Sequence, residues 1–176
     1  MQFRKILVPT DFSQAASAAF EIAAYEAKMS GSELHLITVV QIPIIPRGTS
    51  VPFLSVSQSE LEEQIVSATK NDLEKTAREY FHKQDMTLHI VCSLRNPGVE
   101  ICEFAAQRAM NLIVISSHGG GAISRLVMGS TAERVVRMAQ CPVLVAPGFF
   151  EKKNASKTED LNCFSYEYSS TSRDKC

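Results

Sequence analysis

The sequence predicts an α/β fold: a single open, doubly wound sheet of five mainly parallel strands with helices on both faces. Three observations point there. Short β-branched apolar runs alternate with helical patterns of ten residues or more, and that alternation requires right-handed crossovers and a parallel sheet. The run ELHLITVV becomes apolar on both faces toward its end, as a strand covered on two sides must be. The length, 176 residues, suffices for one full domain with a real core but not for two ordinary ones.

Arg4 to Pro9 (RKILVP) is a short apolar run closed by a proline, the first strand. Ala16, Ala19, Phe20, Ala23, Ala24 and Ala27 then recur at helical spacing, and Gly31 ends that helix. Glu33 to Val40 is the second strand. Residues 41 to 58 carry Pro43, Pro46, Pro52 and Gly48, which exclude regular helix and make a long loop of the functional or mobile kind. Ser59 to Lys83 reads as the second helix, opened by a Ser59 and Glu62 capping box. Its apolar positions are Leu61, Ile65 and Ala68, then, after a phase slip near Asn71, Leu73, Ala77, Tyr80 and Phe81. Thr87 to Cys92 is the third strand. Pro97 opens a helix where its missing N–H costs nothing, with Val99, Cys102, Ala106 and Ala109 as the buried stripe. Leu112 to Ile115 is the fourth strand, Ser130 to Ala139 a helix buried on Ala132, Val135, Val136 and Ala139, and Cys141 to Ala146 the fifth strand. The last 26 residues hold seven Ser or Thr and few aliphatics, so the expected division is a domain over 1–148 and a disordered tail over 149–176.

Composition narrows the function. With 45% hydrophobic and 21% charged residues and a formal net charge of −1, neither broad disorder nor a polyanion-binding surface is expected, and nucleic acid is excluded as the expected partner. No apolar stretch reaches the length of a membrane span, and the apolar part of MQFRKILVPTDF is too short for a signal peptide. A soluble, cytoplasmic protein is the expectation. The five cysteines form no CxxC pair and have no His at ligand spacing, so free thiols are expected and no metal site. Cys92, Cys102 and Cys141 sit in apolar segments, where cysteine acts as a small hydrophobe.

Four of the eight glycines fall between positions 119 and 129, directly after the fourth strand. In open α/β sheets, ligands sit outside the carboxyl ends of the strands where strand order reverses. Two such ends are chemically rich: Pro9-Thr10-Asp11 after the first strand, and Ser116 to Ser130 after the fourth. Glycines let main-chain N–H groups approach a ligand, and a hydroxyl at the start of a helix adds a donor beside the positive end of its dipole. Phosphate oxygens are the natural ligand. A plainer reading also stands: Gly119 to Gly121 as a loose turn, Ser130 with Glu133 as a capping box, and Asp11 with Gln14 as the cap of the first helix. Spacing alone leaves both open. Other chemistries find no support. The chain has no G-x-G-x-x-G after the first strand, no P-loop and no G-x-S-x-G elbow. Ser116, Ser117 and His118 are consecutive, so they cannot make a hydrolase triad among themselves. A receiver domain would need an acceptor Asp directly after the third strand and a Lys directly after the fifth, and neither stands there.

The segments RKILVPTDFS, LHLITVV and SSHGGGAISRLVMGSTAERVVRMAQCPVLVAP together resemble the universal stress protein family, over roughly Gln2 to Pro147. Nucleotide-binding members of that family carry G-x-x-G, nine residues, then G-[ST]. This chain has Gly119, nine residues, then Gly129-Ser130, while Ser116 stands where the first glycine is expected. A serine there places a Cβ where backbone approaches the ligand or takes φ > 0, and also offers a hydroxyl. The resemblance implies a Rossmann-like, adenine nucleotide alpha hydrolase-like domain. It implies that Asp11 contacts the adenosine end, that Pro9 and Thr10 shape the same pocket, and that Val39 lies near adenine. It further implies that Gly119, Gly129, Ser130 and Thr131 hold the phosphates, with Ser117 and His118 lining the approach. The ligand implied is ATP with Mg²⁺, and the assembly a homodimer through Pro142 to Ala146. The implied function is a small cytoplasmic ATP-binding regulator or sensor in the stress response. The alternatives are a dimeric interaction module without nucleotide and a slow ATPase, for which the sequence names no catalytic base.

Overall fold

In the computed structural model, residues 3–42, 57–81, 84–118, 128–147 and 165–170 are described, the last segment as backbone alone. The elements run β1 (Lys5–Pro9), α1 (Ala18–Ser30), β2 (Glu33–Val40), α2 (Gln58–Phe81), β3 (Met86–Cys92), α3 (Pro97–Gln107), β4 (Leu112–Ser116), α4 (Ser130–Met138), β5 (Val143–Ala146) and β6 (Ser165–Ser170). All strand pairs are parallel, in the order β5-β4-β1-β2-β3-β6. The chain lays down β1, β2 and β3 in one direction, then returns to the far side of β1 for β4 and β5. The crevice between β1 and β4 is therefore the point where strand order reverses.

The burial of β1 shows why the sheet needs both layers. Ile6, Leu7, Val8 and Pro9 are all buried, yet successive side chains point to opposite faces. Ile6 and Val8 join Leu34, Leu36, Leu88 and Val114 against Phe20 of α1 and Leu73 and Phe81 of α2. Leu7 joins Ile37, Val91, Ile113 and Ile115 against Ile101 and Phe104 of α3 and Val135 of α4. Each face of the sheet thus carries its own apolar layer, the doubly wound arrangement that the alternation of strand and helix predicts.

Several details differ from the sequence reading. Within the stretch expected to be a disordered tail, residues 165–170 form a sixth strand, pairing with β3 from Thr87↔Ser165 to Cys92↔Ser170. SYEYSS has almost no aliphatic content, so hydrophobic patterning gave no signal for a strand whose pairing runs through main-chain groups. The capping box of α2 lies two residues earlier than expected: Ser57 N–H donates to Glu60 Oε2 at 2.8 Å and Glu60 N–H to Ser57 Oγ at 3.2 Å. Thr69, Leu73, Ala77 and Phe81 form its buried stripe, whereas Ala68 is exposed; the Thr69 hydroxyl is accommodated by donating to the Ile65 carbonyl at 2.7 Å. In α3 the buried stripe is Gly98, Ile101, Cys102, Phe104 and Ala105, while Ala106 and Ala109 face solvent. The larger Ile101 and Phe104 set the phase of that helix. In α4, Val136 is exposed as well. The 43–56 part of the long loop lies outside the described residues.

The core holds a close helix contact and a buried pair of histidines. At Gly98, α3 and α4 approach so closely that a Cβ would stand 2.9 Å from Arg134 Cβ and 3.0 Å from the Thr131 carbonyl oxygen. Between β2 and β3, on the α3 face, His35 Nδ1 and His89 Nε2 lie 3.0 Å apart. Both rings are buried, and His89 packs on Phe104 with ring centroids 4.7 Å apart. Burial first, then the charges of His35 and Arg108, push the His89 pKa down from 6.5 to about 3.

Candidate functional site

The carboxyl end of β1 supplies the first wall. Thr10 N–H still donates to the Ile37 carbonyl at 2.9 Å, which keeps it in register with β2. The chain then turns tightly: Thr10 Oγ1 accepts the Phe12 N–H at 3.0 Å, and Asp11 Oδ1 accepts the Ser13 N–H at 3.0 Å and the Ser13 hydroxyl at 2.6 Å. Phe12 takes φ 62° to make this turn, a left-handed conformation that costs a side-chain-bearing residue energy and is often stored at functional sites. The first helix begins only at Ala18, with Ser17 at its N-cap. Asp11 therefore belongs to the turn and does not cap α1.

The carboxyl end of β4 supplies the opposite wall. Ser117 N–H donates to the Ala146 carbonyl at 2.7 Å and Gly129 N–H to the Ser117 carbonyl at 2.8 Å, pinning the start of α4 beside the end of β4. Ser117 Oγ and His118 Nδ1 lie 2.8 Å apart. Among the described residues, only Phe12 and Ala109 combine positive φ with a side chain, so the Cβ of Ser116 brings no backbone strain. The N-cap of α4 is Gly129, which has no side chain with which to cap this terminus. Ser130 is the first helical residue, and Glu133 meets Arg137 at 3.0 Å, so the capping-box reading of these two residues does not hold. Gly129, Ser130 and Thr131, at the positive end of the helix dipole, line the crevice between the two walls.

These walls enclose a cavity of about 300 Å³. Pro9, Thr10, Asp11, Val39, Ser116, His118, Gly129, Ser130 and Thr131, nine residues named from the sequence, line it together. Ser117 is not among the lining residues, and Gly119 lies outside the described residues. The sequence reading missed Ala16, Ile37, Pro97, Ile101, Ile115 and Ala132, which also line it. Ile37 was within reach, since it alternates with Val39 on one face of β2. Pro97 and Ile101 were not, because nothing in their spacing says that the start of α3 faces the β1–β4 crevice. Among the described lining residues Asp11 carries the one carboxylate, and neither Lys nor Arg contributes. The cavity thus offers apolar surface, hydroxyls and a helix N-terminus, an arrangement suited to a flat apolar group joined to an anion.

A doubly wound parallel sheet with its cavity at the switch point defines a class, the Rossmann-like domains. Comparison with known proteins narrows the class. The model of the universal stress protein family matches residues 2–147, and the chain belongs to that family. It is 30% identical over 146 residues to universal stress protein MJ0531 of Methanocaldococcus jannaschii, covering 81% of each chain. Its fold matches the solved structure of MJ0577 from the same organism, with 25% identity and a TM-score of 0.66 over 88% of this chain and 100% of that one. Two more distant structures share the fold: a universal stress protein in complex with cAMP (18% identity, TM-score 0.57, 85% of this chain and 100% of that one) and one from Archaeoglobus fulgidus in complex with dAMP (22%, 0.51, 83% and 99%). Among the described residues, no helix is long and apolar enough to cross a membrane.

Proposed function

We propose that this universal stress protein binds an adenine nucleotide, ATP with Mg²⁺ in the first instance, in the β1–β4 cavity. In this reading it acts as a cytoplasmic, homodimeric regulator or sensor in the stress response, with no more than slow ATP hydrolysis. The observation that carries the reading is convergence. Nine residues from four separate segments of the sequence line one cavity at the switch point, beside the N-terminus of α4, whose N-cap is Gly129. Val39 and Ile37 offer apolar surface to a base, Asp11 a carboxylate to ribose hydroxyls, and Gly129 to Thr131 main-chain and hydroxyl donors to phosphate. Mg²⁺ would offset the charge of the phosphates, which no described cation of the lining meets. The cAMP and dAMP complexes of two distant relatives concern those proteins; they support the reading in that this fold can hold an adenine nucleotide.

Main-chain donors without a P-loop lysine set the expected affinity on the order of micromolar, about −8 kcal/mol. Isothermal calorimetry of the full chain with Mg²⁺ and ATP tests this. Absence of binding at millimolar nucleotide by folded protein would move the reading to a dimeric interaction module. For the dimer, the supporting observation is β5, which lies at a sheet edge with Val143, Leu144 and Val145 half-buried. An apolar edge strand without charged residues favours pairing with a second copy about a two-fold axis.

A further inference from the structure

Ser116 closes β4, is 5% exposed and lines the cavity. Its Oγ accepts the His118 N–H at 3.4 Å, a long bond. A hydroxyl is also a donor, and among the described residues this proton reaches no acceptor. Leaving a buried donor unused is costly unless something else takes the proton. Its position suggests what that is. β4 lies beside β1, so Ser116 stands between the Thr10–Asp11 turn and the Gly129 start of α4.

We propose that Ser116 is a specificity-determining residue of this site: its hydroxyl donates to an oxygen of the phosphate next to the ribose. By holding the His118 N–H, the same oxygen withholds one main-chain donor from phosphates farther out. The proposal rests on the reading that the cavity takes an adenine nucleotide, and it adds that the cavity favours a nucleoside monophosphate more than a site without this hydroxyl would. The charges of the lining act in the same sense. The Asp11 carboxylate repels added negative charge, and no described lining residue is a Lys or Arg that would reward a second or third phosphate.

The test is calorimetry of wild type and Ser116→Ala with adenosine, AMP, and ATP with Mg²⁺, alongside thermal melting of the ligand-free proteins. A hydrogen bond to a charged oxygen is among the stronger ones, so AMP affinity should fall about tenfold in the variant. Adenosine affinity should be unchanged. ATP affinity should stay within roughly threefold of wild type, because the freed His118 N–H offsets the lost hydroxyl. The melting temperature of the free protein should fall by no more than about a degree, since the one protein bond lost is the long one from the half-buried His118 N–H. Ser116→Gly removes the same hydroxyl and should show the same ligand pattern. Equal AMP affinity in wild type and variants overturns the proposal while leaving the nucleotide site standing. Parallel loss of adenosine and AMP overturns it too, since the hydroxyl would then not read phosphate. A melting temperature lower by several degrees in Ser116→Ala would make the residue structural. Failure of wild type to bind any of the three ligands would remove the site and this proposal together.

Discussion

His89 gives the most quantitative consequence of the fold. The ring is 2% exposed, faces His35 at 3.0 Å and packs on Phe104. Glu33 reaches His35 Nε2 from the solvent side at 3.6 Å, and Arg108, the C-cap of α3, adds a like charge near His89. The folded protein holds the His89 pKa at about 3, against 6.5 for an ordinary histidine. Above pH 6.5 both folded and unfolded chains carry this ring neutral, and its contribution to stability is complete. As pH falls below 6.5 the unfolded chain takes up a proton that the folded chain refuses until about pH 3, so stability declines through that window. The slope is about 1.4 kcal/mol per pH unit, which makes about 2 kcal/mol at pH 5. Urea denaturation of wild type and His89→Gln from about pH 7.5 to pH 4.5 measures it. The glutamine keeps a polar partner for His35 but does not titrate, so the variant should lose the slope that belongs to this ring. A stability difference between the two proteins that stays constant with pH would refute the reasoning.

Gly129→Val should abolish nucleotide binding while leaving the far-ultraviolet spectrum intact, because a branched side chain at the N-cap of α4 fills the approach to its first-turn N–H groups; calorimetry and circular dichroism read the two parts. Val145→Pro removes a β5 ladder donor and should shift the protein to monomer by light scattering, whereas an unchanged dimer would place the interface elsewhere. Ala109→Gly should stabilise the protein by about 1 kcal/mol in urea melts, since the exposed Ala109 ends α3 at φ 52°, where a Cβ is strained.

What the sequence made legible followed the strength of each local signal. The alanine repeat from Ala16 to Ala27 and the β-branched run of Glu33 to Val40 identify α1 and β2, because a regular apolar period arises from little besides one buried face. Helix phase was harder. In α3, alanines at 106 and 109 imitated a buried stripe, but small residues suit solvent as well as core, and Ile101 and Phe104 decided the matter. The site residues at the ends of β1 and β4 were legible because turn chemistry and glycine spacing are local. Pro97 and Ile101 were not, since their place in the cavity depends on strand order. The pairing of His35 with His89 was hidden for the same reason: the two residues are 54 positions apart, and only the β2–β3 register brings their rings together.

Amide chemical-shift mapping of ¹⁵N-labelled protein titrated with ATP and Mg²⁺ tests most directly whether the β1–β4 crevice is a nucleotide site. A nucleotide bound there should give saturable shifts concentrated on Thr10, Asp11, Val39, Ser116, His118 and Gly129 to Thr131. Shifts clustered elsewhere on the fold, or none at millimolar nucleotide, would contradict that placement.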